Sequence, residues 1–155
     1  MGNTGKSESG YSGGDVLVLS DEMILRLKSN AGRTYPEECC GLLFGVVTDD
    51  GIILVQEEVS IENRDGRKKV HFQIEPMEIY RNEKEQKEKG LDILGFYHSH
   101  PDLPAIPSDE DIKEMIPGPL YLIMSVYENK PVRLRAWRRD RDTGLIREMR
   151  VLRNG

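Results

Sequence analysis

The tightest constraint on this chain lies in Gly95-Phe96-Tyr97-His98-Ser99-His100-Pro101 and the run that follows it, Asp102 to Pro107, ahead of Ser108-Asp109-Glu110-Asp111. Leu91 to Tyr97 has the length and apolar character of a strand, so His98 and His100 stand at its C-terminal end. Residues i and i+2 of a strand share a face. Both imidazoles therefore project into one space, while Ser99 points the other way as a core-facing spacer. Pro101, Pro104 and Pro107 lack a backbone N–H and bias the residues before them toward extended geometry. The strand must end there. Ser108 has the chemistry of an N-cap, and Asp109, Glu110 and Asp111 fill a first helical turn where negative charge suits the helix dipole. Asp111 falls at N3.

Two neutral imidazoles on one face and a carboxylate returned by a loop make up the ligand set of a catalytic zinc site, whose fourth position is left to water. Each part also has an ordinary reading. Paired strand histidines occur without metal, and an acidic turn after a serine is a well-capped helix start.

The remaining pattern alternates strands with helices. Val16 to Leu19 reads as a strand stopped by Ser20-Asp21. Met23, Ile24, Leu27 and Ala31 recur at helical spacing behind Ser20 as cap, with Gly32 and Pro36 as the stop. Pro36 to Val47 is a nearly continuous apolar run, a strand buried on both faces. Glu38 stands at its mouth, and from this stretch alone reads as a solvent-exposed strand end. Asp50-Gly51 suits a hairpin turn into a strand over Ile52 to Ile61. Val70 to Ile74 alternates, placing His71 on the polar face as a surface or supporting residue. Pro76 suits the first position of a charged surface helix ending near Gly90. Ile112, Met115 and Ile116 give the helix after Ser108 one buried stripe. Leu120–Val126, Val132–Arg138 and Leu145–Leu152 follow as strands. The fold class is α/β, a mixed β-sheet flanked by helices.

Composition narrows the function. One domain over residues 15–155 is expected from 155 residues, with 1–14 as a disordered Gly/Ser-rich tail. The net charge of −5 argues against nucleic acid as a partner. No run is long and apolar enough for a membrane span or secretory signal. Gly2 to Ser7 has the wrong glycine spacing for a phosphate loop, and Lys6 does not fit N-myristoylation. Cys39 and Cys40 are the only cysteines. Being adjacent they form no disulfide framework, so a reducing cytoplasm and a buried, non-catalytic role are expected.

Glu38-x-x-Gly41 on an early buried strand, then His98-Ser99-His100-Pro101, Ser108 and Asp111, closely resembles the signature of the JAMM (MPN+) zinc metalloproteases. Pro36 to Leu43 and the Asn63 to Pro76 stretch are similar to the small prokaryotic single-domain branch. The resemblance implies the JAMM/MPN fold, which is cytidine-deaminase-like, with zinc on His98, His100 and Asp111. It implies Glu38 as general base and Ser108 as donor to the oxyanion. It further implies hydrolysis after the C-terminal Gly-Gly of a ubiquitin-like sulfur carrier protein. A non-catalytic MPN interaction module and a zinc hydrolase of a small amide remain as alternatives, although the Pro-Cys-x-x-Cys segment of the deaminases is missing.

Overall fold

A computed structural model describes residues 15–62 and 74–155. The expectations for the N-terminal tail, for His71 and for the strand around it fall outside the described residues. In chain order the elements are β1 (Val16–Ser20), α1 (Asp21–Thr34), β2 (Cys40–Val47), β3 (Ile53–Ile61), α2 (Pro76–Lys87), β4 (Asp92–Pro101), α3 (Asp109–Glu114), β5 (Leu120–Val126), β6 (Arg133–Arg139) and β7 (Ile146–Asn154).

The sheet is mixed, as the alternation of elements predicts. It is not an open sheet between helices. The strands close into a barrel in the order β1-β3-β2-β4-β5-β6-β7, sealed by parallel pairing of β1 with β7 from Val16–Arg150 to Ser20–Asn154. Closure removes the free edge that a lone β7 would expose. This pairing joins the two ends of the described chain, and no local pattern in Val16–Ser20 announces it.

Most local boundaries follow from side-chain chemistry. Ser20 Oγ accepts the Met23 N–H at 3.0 Å and starts α1. That helix runs through Gly32 to Thr34 and buries Met23, Leu27, Asn30 and Ala31. Met23, Leu27 and Ala31 join Leu17, Leu43, Tyr97 and Leu122 in the main core. A second apolar cluster of Cys40, Leu42, Phe44 and Ile61 lies elsewhere, with Ile79 of α2 and Phe96 of β4 packed on it.

Two further expectations are revised. The helix after Ser108 is short and buries none of its own residues: Ile112 and Ile116 are exposed, and only Met115, just past its end, is buried. With Met115 already extended as the C-cap, the intended stripe never forms a helical face. Second, β4 carries a bulge. Leu43 pairs with Gly95 and Phe44 with Ile93, leaving Leu94 unpaired. An extra residue in one strand switches the face of everything beyond it. Phe96, His98 and His100 consequently share the face of the second cluster, while Tyr97 and Ser99 face the main core.

Among the described residues, no helix is long and apolar enough to cross a membrane.

Candidate metal centre

β4 is the axis of the site. It pairs antiparallel with β2, Cys40 opposite His98, and parallel with β5, His98 beside Ile123 and His100 beside Ser125. Held from both sides, the two histidines are almost fully buried, at 2% and 4% exposure. Their Nε2 atoms are 3.2 Å apart.

The proline-punctuated loop carries Asp111 back to them. Ser108 caps α3 reciprocally: its Oγ accepts the Asp111 N–H at 3.0 Å and its own N–H donates to Asp111 Oδ2 at 2.9 Å. This is the capping box that the Ser-x-x-Asp spacing allows. It orients the carboxylate so that Oδ2 lies 3.0 Å from His100 Nε2 and 3.3 Å from His98 Nε2. Burial pushes the Asp111 carboxyl up, but the histidine nitrogens and the Ser108 N–H outweigh it and hold it far below the usual carboxylate range. Asp111 is therefore ionised at neutral pH.

Two contacts that sequence reasoning missed hold the loop itself. Pro104 O lies 2.9 Å from His100 Nδ1 and accepts its proton. Trp137 Nε1, from β6, donates to Ala105 O at 3.0 Å. Neither is signalled locally, since one uses a backbone carbonyl and the other a residue 32 positions away.

These contacts test whether the residues fit a metal ion. Because Nδ1 already donates to Pro104 O, the neutral form of His100 turns a lone pair at Nε2 toward the carboxylate, and only a proton or a metal ion between them makes that contact favourable. Acceptor faces acceptor at 3.0 Å, an arrangement that a cation stabilises. Donors bound tetrahedrally at about 2.0–2.1 Å from zinc stand about 3.3 Å from one another. The observed separations of 3.0–3.3 Å match that edge. His98, His100 and Asp111 form the cluster of potential ligands, with donor atoms all within 4.8 Å.

Glu38 is not the exposed strand end that its own stretch suggests. It is 5% exposed. The β2–β4 ladder reaches Cys40–His98, and the Ser99–Cys39 bonds carry it one residue further, to the neighbour of Glu38. Nothing adjacent to residue 38 in the sequence encodes this burial. One cleft opens on the ligand cluster and another borders Glu38. The first, of about 260 Å³, opens on His98 and Asp111 and is walled by Ile74, Ile79, Phe96, Met115 and Tyr121. The other, of about 380 Å³, is bordered by Asn30, Arg33, Glu38 and Ser60.

Gly41, the last residue of the Glu38-x-x-Gly41 pattern, has a steric reason. A Cβ there would collide with the Tyr97 ring and the Val59 carbonyl. Cys39 and Cys40 are free and buried, as expected. Burial pushes the Cys40 thiol up to about 12 and raises that of Cys39 as well, which leaves both unsuited to nucleophilic work.

Comparison with known proteins agrees with this geometry. The family described as "Prokaryotic homologs of the JAB domain" matches residues 20–140. The chain belongs to the prokaryotic JAB-domain family. The JAMM resemblance read from the sequence is thereby borne out. This JAB domain is 32% identical to a desampylase of Pyrococcus furiosus over 138 residues, 88% of this chain and 89% of the relative. It is 30% identical over 106 residues to a desampylase of Haloferax volcanii, covering 68% and 74% of the two chains. It is 29% identical over 113 residues to a probable TtuB-protein conjugate cleaving protease of Thermus thermophilus, covering 73% and 72%. A solution structure from Desulfitobacterium hafniense superposes with a TM-score of 0.78 at 28% identity, over 90% of this chain and 92% of that one.

Proposed function

We propose that this JAB domain is a cytoplasmic zinc metallopeptidase that hydrolyses the amide bond after the C-terminal Gly-Gly of a ubiquitin-like sulfur carrier protein. The observation that carries the reading is the meeting of two imidazole nitrogens and an ionised carboxylate at 3.0–3.3 Å, with the His100 tautomer set by Pro104. The names of the relatives, desampylase and conjugate cleaving protease, support a conjugate of a ubiquitin-like protein as substrate.

In this reading His98, His100 and Asp111 hold the zinc. Zinc held there would act as a Lewis acid on the scissile carbonyl and would make the attacking water more acidic. Glu38 accepts a proton from the attacking water and delivers it to the leaving amine. Ser108 serves twice: its Oγ lone pair receives the Asp111 N–H, leaving the hydroxyl proton to donate to the oxyanion. A single such donor contributes about 10²–10³ in rate. The carrier's extended tail lies in the apolar cleft beside His98.

The test is mass spectrometry of a carrier conjugate, carried either through a lysine isopeptide or a short C-terminal extension, after incubation with wild type, Glu38→Ala and Asp111→Ala. Cleavage after Gly-Gly by the wild type alone is expected. Equal cleavage by all three, or by none with both linkage types, refutes the reading.

A further inference from the structure

Ser99, between the two histidines, faces the main core and is completely buried. Its hydroxyl is engaged. Ser99 Oγ accepts the Cys39 N–H at 2.8 Å, while the Ser99 N–H donates to Cys39 O at 3.1 Å. A regular antiparallel pair would exchange both bonds through backbone atoms. Here a side-chain oxygen stands in for the Ser99 carbonyl, and β2 as a regular strand begins only at Cys40.

The bond acts on the residue next to Glu38. The Cys39 N–H and the Glu38 carbonyl belong to a single planar peptide unit that also contains the Glu38 Cα, so holding that N–H places the Glu38 Cα and restricts the rotations open to its side chain. A second strut ties the far side of the segment: Tyr35 OH donates to Asp102 Oδ1 at 2.8 Å, again joining the approach to β2 with the end of β4. That strut lies at the exposed surface, where water competes for both groups, so Ser99 provides the buried one.

We propose that Ser99 is a positioning residue for Glu38: its hydroxyl, aimed away from the metal ligands, holds the peptide unit that joins Glu38, the general base, to Cys39. The proposal rests on the peptidase reading only for the role of Glu38; the positioning itself is structural. It assigns the serine between the histidines a function distinct from metal binding.

The test uses the full chain loaded with zinc, in Ser99→Ala and Ser99→Thr forms, with the second retaining the hydroxyl. Ser99→Ala should hold about one zinc per chain at unchanged affinity. The Cys39 amide should exchange with deuterium faster, and kcat should fall roughly 10- to 100-fold, the usual range for groups that orient active-site residues, with KM within about twofold. Ser99→Thr should restore most of the loss. In a Glu38→Gln background, Ser99→Ala should cost nothing further, because the group it positions is already disabled. An undiminished kcat, an added loss in the Glu38→Gln background, or loss of zinc overturns the proposal. A crystal structure of Ser99→Ala decides it without activity: Glu38 should be displaced, and finding it in its wild-type place overturns the positioning role. If instead Glu38 moves while wild type cleaves no conjugate, the peptidase reading falls and the positioning survives.

Discussion

The Nδ1 of His100 is bonded to the carbonyl oxygen of Pro104 at 2.9 Å, and so the loop that delivers Asp111 also decides which nitrogen of His100 turns toward it. Metal-site geometry and loop geometry are one structure. The ion should consequently stabilise the fold. At about 1,000 times its dissociation constant, a ligand that binds only the native state contributes about 4 kcal/mol. For a domain of this size that raises Tm by about 8–16 °C. Thermal scans of chelator-treated protein with and without added zinc measure the shift, which Asp111→Ala should abolish. An equal zinc effect in both proteins would place the ion elsewhere.

Trp137 is the anchor at the other end of that loop. Ala105 is buried, and its carbonyl is served by Trp137 Nε1. Trp137→Phe keeps the ring but leaves a buried acceptor unpaired, at about 1–3 kcal/mol. Because the loop positions Asp111, zinc should also bind more weakly, by about tenfold. Competition against a chromogenic zinc chelator reads the affinity, and denaturant unfolding reads the stability. A loss of stability with wild-type zinc affinity would show that Ser108 and Pro104 hold Asp111 unaided.

How far the sequence discloses the site follows from the range of each interaction. The shared face of His98 and His100 is a two-residue property of a strand, and Ser108 capping a helix with Asp111 at N3 is a three-residue property; both are found as read. Glu38 is different. It is buried, next to a residue, Cys39, that bonds Ser99 60 positions on, whereas without the family signature its own neighbourhood points to solvent. Barrel closure is more remote still, since Val16 finds Arg150 across most of the chain. Ile112 and Ile116 mislead for the opposite reason: their spacing suits a helix, but the helix stops at Glu114 before their stripe can be used.

The cysteines give a prediction about reactivity. With the Cys40 thiol pushed up to about 12 by burial and by the neighbouring Cys39 and Glu38, only about one thiol in ten thousand is ionised at pH 8, and the thiolate is the reactive form. Cys39 is shifted in the same direction, with burial again the first cause. Native protein should therefore resist a thiol reagent such as Ellman's at pH 8, and labelling should begin only as pH rises well above the ordinary thiol range or as the chain unfolds. Guanidinium should release two reactive thiols per chain. Rapid labelling of the native form at pH 8 would contradict the closed packing at the start of β2.

Gly41 tests whether the signature glycine is steric. Its missing Cβ makes room for the Tyr97 ring and the Val59 carbonyl. The ring has little freedom to retreat, because Tyr97 OH donates to Glu58 Oε1 at 2.8 Å and lies 3.0 Å from Ser60 Oγ and 3.3 Å from Asn30 Nδ2. Gly41→Ala should therefore cost at least the upper part of the usual overpacking range of about 1–3 kcal/mol. Since Tyr97 adjoins His98 in the chain, zinc affinity should fall with stability. Tyr97→Phe frees the ring from its polar partners, so the same alanine should cost less in that background, with a coupling of about 0.5 kcal/mol or more. A denaturant-unfolding cycle over the two single variants and the double variant measures it. Strict additivity would mean that the clash with the Val59 carbonyl alone sets the penalty, and that the ring plays no part in requiring glycine at position 41.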